Sequence, residues 1–265
     1  MQVTWKTPAG QTWKLCDDVL KQTHCIIAGR TGSGKSTLLH SIIYSALIHS
    51  PVRTQFVLVD LKRGITLRRY KDLPHTITLA STPEQAIEAI KYTERIMDQR
   101  YDQVLKTDKD MYEGSDIYLI IDELADLMQT AKAKVLDPLS RIMRLGRAAR
   151  VHVIGATQSP SRTRGGGLPT ELQVNTTSGI ALPCRTAIES RQACAQAGAE
   201  KLEVGQGIYW SPAGTTMVSI PMTGEKELKD RITYWLNAKP ERAKEQTTCH
   251  SQNSFFSRFA QAFLR

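Results

Sequence analysis

Directly after the apolar run Cys25-Ile26-Ile27-Ala28 comes Gly29-Arg30-Thr31-Gly32-Ser33-Gly34-Lys35-Ser36, which fills every fixed position of the pattern G-x-x-x-x-G-K-[ST]. A loop of this kind binds a polyphosphate with its own backbone, because glycines permit the tight turn and consecutive N–H groups then point at the anion. Gly29 leaves the strand, and Gly32 and Gly34 let the chain pass close to phosphate oxygens. Lys35 adds a point charge for the β and γ oxygens, and the Ser36 hydroxyl is suited to ligating Mg²⁺. Thr37 to Tyr44 read as a helix whose positive N-terminus faces the same anion. Gly29 to Thr37, with Arg30, Thr31 and Ser33 between the fixed positions, is therefore the expected nucleotide-binding segment, and ATP with Mg²⁺ is what it is built to take.

A second constellation completes the chemistry. Tyr118-Leu119-Ile120-Ile121 is an apolar strand that ends in two acids, Asp122 and Glu123. In P-loop ATPases such a strand is expected beside the strand that leads into the loop. Its first acid, Asp122, then stands on the metal side, while Glu123 can take a proton from the attacking water. The competing reading is an acid pair that caps the following helix. Gln158 ends the run Ile154-Gly155-Ala156-Thr157, at a level where a polar side chain can sense the γ-phosphate or face solvent. Arg141, Arg144, Arg147 and Arg150 recur every third residue on what reads as one helix, about Val135–Arg150. Such a row drifts by about 60° per step on a 3.6-residue helix, so the four cannot share a face. They form either a solvated basic flank or a source for one finger that reaches a neighbouring subunit's nucleotide.

The elements that must carry these residues alternate. Strands are expected at His24–Ala28, Gln55–Asp60, Thr76–Ala80, Tyr118–Asp122 and Val151–Thr157, with later segments at Gly179–Leu182, Ile208–Trp210 and Thr215–Ile220. Between them a helix runs from Lys35 to about His49, ahead of Pro51. Another starts at the Thr82-Pro83-Glu84-Gln85 cap and carries Ile87, Ile90, Met97, Tyr101 and Val104 on its buried face. Strand–helix alternation predicts an α/β fold, a mainly parallel sheet covered by helices on both faces with its ligand at the strand carboxyl ends. Residues 1–22 read as a small hairpin and lead-in, 23–237 as one large domain, and 238–265 as a polar tail with a short aromatic helix around Phe255–Phe263.

At 265 residues the chain can bury a full core, and its net charge of +9 favours a polyanionic partner. The start is no signal peptide and no apolar run is long enough to span a membrane, so a cytoplasmic location is expected. Five cysteines, Cys16, Cys25, Cys184, Cys194 and Cys249, show no zinc-like spacing and read as structural thiols.

Five segments occur in order: His24-Cys25-Ile26-Ile27-Ala28-Gly29 into the phosphate loop, Val59-Asp60-Leu61-Lys62, Ile121-Asp122-Glu123-Leu124-Ala125-Asp126-Leu127-Met128, Ala156-Thr157-Gln158 and Gln196-Ala197-Gly198-Ala199-Glu200. From about Val19 to Pro221 that series resembles the motor domain of the FtsK/SpoIIIE DNA translocases, within the wider FtsK–HerA group of ring ATPases. The resemblance implies a RecA-like P-loop core that assembles as a hexameric ring around double-stranded DNA. It carries Gly32, Gly34, Lys35, Ser36, Asp122 and Glu123 onto the nucleotide site, and Arg147 onto the arginine offered in trans to the adjacent active site. It likewise carries Arg191 onto a pore-loop arginine that contacts the DNA backbone. Two departures concern the DNA grip: Ser159 stands where an arginine often follows A-T-Q, and Ala187 stands where a lysine is expected four residues before Arg191. Arg185, Arg162 and Arg164 can compensate, since phosphate contacts need positive charge within reach rather than at one fixed position.

With no membrane segment, no room for the linker and separate α domain of the chromosome translocases, and no obvious winged-helix domain, the sequence reads as a minimal motor. Transfer, segregation or packaging of a mobile element would suit it, with a membrane or transfer-machinery partner reached through the C-terminal tail. The alternatives are a protein-secretion ATPase of the same superfamily and a non-motor ATP switch that binds a partner through the aromatic tail.

Overall fold

The computed structural model describes residues 5–6, 12–13, 15–158, 168–194, 196–220 and 224–238. Arg162, Arg164, Ser159 and the 239–265 tail lie outside the described residues. Near the start, β1 (Trp5–Lys6) pairs antiparallel with β2 (Thr12–Trp13). The main sheet takes β3 (His24–Ala28), β4 (Thr54–Val59), β5 (Thr76–Ala80), β6 (Asp116–Ile121), β7 (Val151–Thr157), β8 (Ser178–Ala181), β9 (Gln206–Ser211) and β10 (Gly214–Ser219). Their spatial order is β10-β9-β8-β3-β7-β6-β4-β5. From β8 to β5 every neighbouring pair is parallel, and β9 and β10 extend the sheet antiparallel.

Period-two alternation explains how the sheet is covered. Cys25 and Ile27 of β3, Phe56 and Leu58 of β4, and Tyr118 and Ile120 of β6 point to one face. There they meet α1 (Leu15–Lys21), α2 (Lys35–His49) and α7 (Glu225–Ala238). Ile26, Val57, Val59, Ile117, Leu119 and Ile121 point to the other, against α3 (Pro83–Val104), α4 (Leu124–Leu145) and the single turn α5 (Thr170–Gln173). Both faces of the central strands are buried, which is why their sequences read as continuous apolar runs. α6 (Ala187–Cys194) packs beyond β8, over a smaller cluster that includes Cys184 and Cys194.

Two expectations are corrected. The strand that ends in Asp122 and Glu123 does not lie beside the P-loop strand; β7 intervenes and pairs with β3 on one side and β6 on the other. The chain leaves β6 through α4 and returns as its parallel neighbour, and β7 is apolar on both faces, as a central strand must be.

The helix expected at Val135–Arg150 instead runs Leu124–Leu145. Its start is set by the buried stripe Leu124, Leu127, Met128, Ala131, Val135, Leu139 and Ile142, spaced three or four apart. That stripe carries the helix through Pro138, whose cost falls on the carbonyl of the exposed Lys134. The helix ends at Gly146, where a Cβ would stand 2.4 Å from the Val151 carbonyl oxygen and 2.6 Å from that of Ile142. Arg147 and Arg150 therefore lie beyond the helix, in the turn that leads to β7, and the four arginines do not form one helical row.

Candidate active site

β3 delivers the chain into the loop at the carboxyl end of the sheet, and α2 starts at Lys35 with Gly34 as its N-cap. Gly32 has φ 77° and Gly34 φ 100°, conformations in which an L side chain is strained. A Cβ on either would meet nothing within 4 Å, so both glycines border open space. Gly29 is different. A Cβ there would stand 2.5 Å from Ser33 Oγ and 2.7 Å from Leu182 Cβ, so the backbone passes the neighbouring chain with no space for a side chain. The loop is held from both sides, Gly29 N–H donating to the Thr157 carbonyl (3.2 Å) and Arg30 N–H to that of Pro183 (2.9 Å).

Lys35 is 7% exposed and folds back on the loop, its Nζ donating to the carbonyls of Gly29 (2.6 Å) and Arg30 (2.9 Å). Burial pulls its pKa down to about 8, against the charges of Glu123 and Asp122, which pull it up. The Ser33 hydroxyl is buried without a hydrogen-bond partner. Open glycines, an orphaned hydroxyl, a lysine bonded only to carbonyls and a helix N-terminus fit a polyphosphate, which would supply every missing acceptor. Ser36 is exposed on the first turn of α2, and Thr37 follows it half-buried.

Asp122 and Glu123 are buried, 2% and 3% exposed. Burial raises the Glu123 pKa; the Gln158 N–H and the Lys62 cation pull against it. Gln158 is tied to both halves of the site: its backbone N–H donates to Glu123 Oε1 (3.0 Å), and its Oε1 accepts from the Thr31 hydroxyl (2.7 Å). Because β7 stands between the loop strand and the acid strand, the residue that follows it links the two.

The structure also adds residues with no assigned role in the sequence reading. Lys62 Nζ lies 3.4 Å from Asp122 Oδ2 and 3.6 Å from Glu123 Oε2. Burial lowers the Lys62 pKa, but Asp122 and Glu123 more than offset that and leave it raised. The Thr66 hydroxyl donates to the same Asp122 oxygen at 3.2 Å. Asp60, fully buried, makes this possible by accepting from the N–H groups of Lys62, Thr66 and Leu67, which folds the segment after β4 over the acids. The string Val59-Asp60-Leu61-Lys62 was the available signal, since a strand-end aspartate commonly bonds backbone N–H groups ahead of it.

The sequence profile of the FtsK/SpoIIIE family matches residues 12–116 and 103–162, more than half the chain. The chain belongs to the FtsK/SpoIIIE family. This FtsK/SpoIIIE-family chain is 36% identical over 215 residues to a DNA translocase FtsK of Streptomyces avermitilis, covering 72% of this chain and 23% of that protein. With a DNA translocase FtsK of Listeria monocytogenes it shares 30% identity over 251 residues, covering 85% of this chain and 32% of that protein. It thus spans about a quarter to a third of the curated relatives it matches. Among solved structures, its fold is similar to the monomeric pCW3 conjugation coupling protein TcpA with ATPγS. There the TM-score is 0.74 at 21% identity, covering 87% of this chain and 69% of that one. It is also similar to the cytoplasmic domain of the type VII secretion ATPase EccC of Thermomonospora curvata, with a TM-score of 0.70 at 23% identity, covering 88% and 30%.

The remaining sequence-derived residues are spread out. Arg147 is exposed in the turn before β7, at the sheet end opposite the loop. Arg141 pairs with Glu94 and Asp98, and Arg150 with Asp116. Arg191 is exposed on α6 and Arg185 just before it, on the P-loop side of β8. Gln196–Glu200 packs under α6: the Ser190 hydroxyl donates to the Gln196 carbonyl (2.7 Å) and accepts from Ala199 N–H (3.0 Å). No helix long and apolar enough to cross a membrane occurs among the described residues.

Proposed function

We propose that this chain is the ATP-hydrolysing motor of a double-stranded-DNA translocase, working as a homo-oligomeric ring, with hexamer the expected size, in the transfer, segregation or packaging of a mobile element. The observation that carries the reading is the joining of loop, base and sensor through Gln158, in a chain whose relatives are DNA translocases. ATP lies along the Gly29–Thr37 loop with Lys35 turned from its two carbonyls to the β and γ oxygens. Ser36 and Asp122 would hold Mg²⁺, which would supply positive charge to offset that of the phosphates. Glu123 accepts a proton as water oxygen bonds to the γ-phosphorus and the bond to the β–γ bridging oxygen breaks, releasing ADP and phosphate.

Arg147 serves a neighbouring copy. The seven residues of β7 separate its turn from Gln158, about 23 Å along the strand, which no arginine side chain spans. Arg191 and Arg185, with Arg162 and Arg164, meet DNA phosphates without reading bases, in keeping with the +9 charge. ATPase rate with and without double-stranded DNA tests the proposal, with Glu123→Gln as control. DNA should raise the wild-type rate severalfold, and the control should bind ATP and stay inactive. A rate indifferent to DNA would instead favour a polypeptide-moving ATPase.

A further inference from the structure

The turn between α4 and β7 has its backbone acceptors filled one by one. The Leu145 carbonyl accepts from the Tyr101 hydroxyl at 3.0 Å. Gly146 accepts from Val151 N–H (2.9 Å), Arg147 from Arg150 N–H (3.2 Å) and Ala148 from Tyr112 N–H (2.8 Å). Ala149 accepts from Arg100 Nη1 at 3.0 Å, and Arg150 from Ile117 N–H at 2.9 Å. Six consecutive carbonyls are thus tied to α3, to the segment before β6, to β6 and to the turn itself.

Arg100 is the centre of this bracing. It sits on α3, 3% exposed, and its guanidinium also reaches the Ser115 carbonyl (2.8 Å) and lies 4.4 Å from the centre of the Tyr112 ring. Arg150, left-handed at φ 54°, is clamped by two 2.8 Å bonds to Asp116. Arg147, in the middle of the turn, is exposed, and no described residue pairs with its guanidinium. Holding backbone this firmly around a free cation lowers the entropy lost when that cation is fixed against a phosphate.

We propose that Arg100 is a positioning residue for catalysis in trans, bracing the 145–150 turn so that Arg147 reaches the neighbouring subunit's nucleotide in a fixed geometry. This rests on the reading of Arg147 as a trans-acting arginine. A planar guanidinium suits the task, since Nη1 donates to the Ser115 and Ala149 carbonyls while Nη2 donates to Ser115 Oγ at 3.2 Å and the group lies over the Tyr112 ring; the single nitrogen of a lysine cannot do all of this.

The test uses full-length Arg100→Lys, Arg147→Ala and the double variant, measured for ATP affinity, DNA-stimulated kcat and KM. Each is measured alone and co-assembled with Lys35→Ala subunits. Arg100→Lys should lower kcat about tenfold or more, within the range an arginine finger supplies, while ATP affinity and KM stay within about twofold. Co-assembly should restore part of the rate, because a Lys35→Ala neighbour presents a correctly braced Arg147 to the intact loop. The double variant should be no slower than Arg147→Ala. Tyr101→Phe, which removes one hydroxyl and its bond to the turn, carries the same test with a smaller loss if Arg100→Lys does not fold. Full activity in Arg100→Lys beside a deep loss in Arg147→Ala overturns the positioning role and leaves the finger standing. So does a loss in Arg100→Lys that co-assembly fails to restore. Full activity in Arg147→Ala removes the finger itself.

Discussion

Replacing Lys62 by methionine keeps the stem and deletes the charge that faces two buried carboxylates. At an effective dielectric of about 20, charges 3.4 and 3.6 Å apart attract by roughly 5 kcal/mol each. That is an upper bound, because the Lys62 side chain is 39% exposed and water screens it. Deleting one partner of a fully buried pair costs about 3–5 kcal/mol, so discounting for exposure leaves roughly 1–3 kcal/mol for the nucleotide-free protein. At about 2–4 °C per kcal/mol for a domain of this size, the melting temperature should fall by roughly 2–12 °C.

The pH dependence has a definite sign. The Lys62 pKa is raised on folding, so its contribution is present throughout the neutral range and lost only as pH climbs through that raised value. Glu123 is raised too, so ionising it costs stability, and removing Lys62 pushes it further up. Lys62→Met should therefore recover part of its deficit as acid protonates Glu123. Thermal melts without nucleotide, in chelator, at neutral and mildly acidic pH measure this directly. A variant that melts with wild type at both, or a deficit that grows on acidification, would show that Lys62 does not neutralise the acids.

Gly29→Ala should destabilise the fold by about 1–3 kcal/mol and weaken binding of a fluorescent ATP analogue, because Leu182 Cβ is fixed to its backbone and cannot give way. Gly32 fails for conformation rather than space, so Gly32→Asn, which tolerates φ 77°, should bind the analogue more tightly than Gly32→Ala. Arg191→Ala should weaken double-stranded DNA binding equally across sequences and reduce the slope of log K against log salt by about 0.9 for each phosphate left without its cation. An unchanged slope would remove Arg191 from the DNA surface.

The phosphate loop was legible because its chemistry is local: nine neighbouring residues make the turn, the anion site and the helix start. The Thr82–Pro83 start of α3 was legible for the same reason, and the Thr82 hydroxyl does accept from Gln85 N–H. Strand order was not. Nothing in Tyr118–Ile121 or Val151–Thr157 distinguishes a strand beside β3 from one a place away, since both are buried on both faces and equally apolar.

The arginine series misled for a related reason. Threefold spacing reads as helix until a tertiary contact ends it, and the contact that does so is the Val151 carbonyl, set against Gly146 from the next strand. Once the helix stops at Leu145, the arginines separate by their partners. Arg141 is spent on Glu94 and Asp98 and Arg150 on Asp116, whereas Arg147 stands on a backbone whose carbonyls are all engaged. The sequence held the residue and its competing reading as a solvated flank with equal ease. The bracing by Arg100, 47 positions earlier by number and 3.0 Å away from the turn's Ala149 carbonyl, supports the proposed finger over the flank, and the packing of α3 against α4 and the turn that follows it creates that relation.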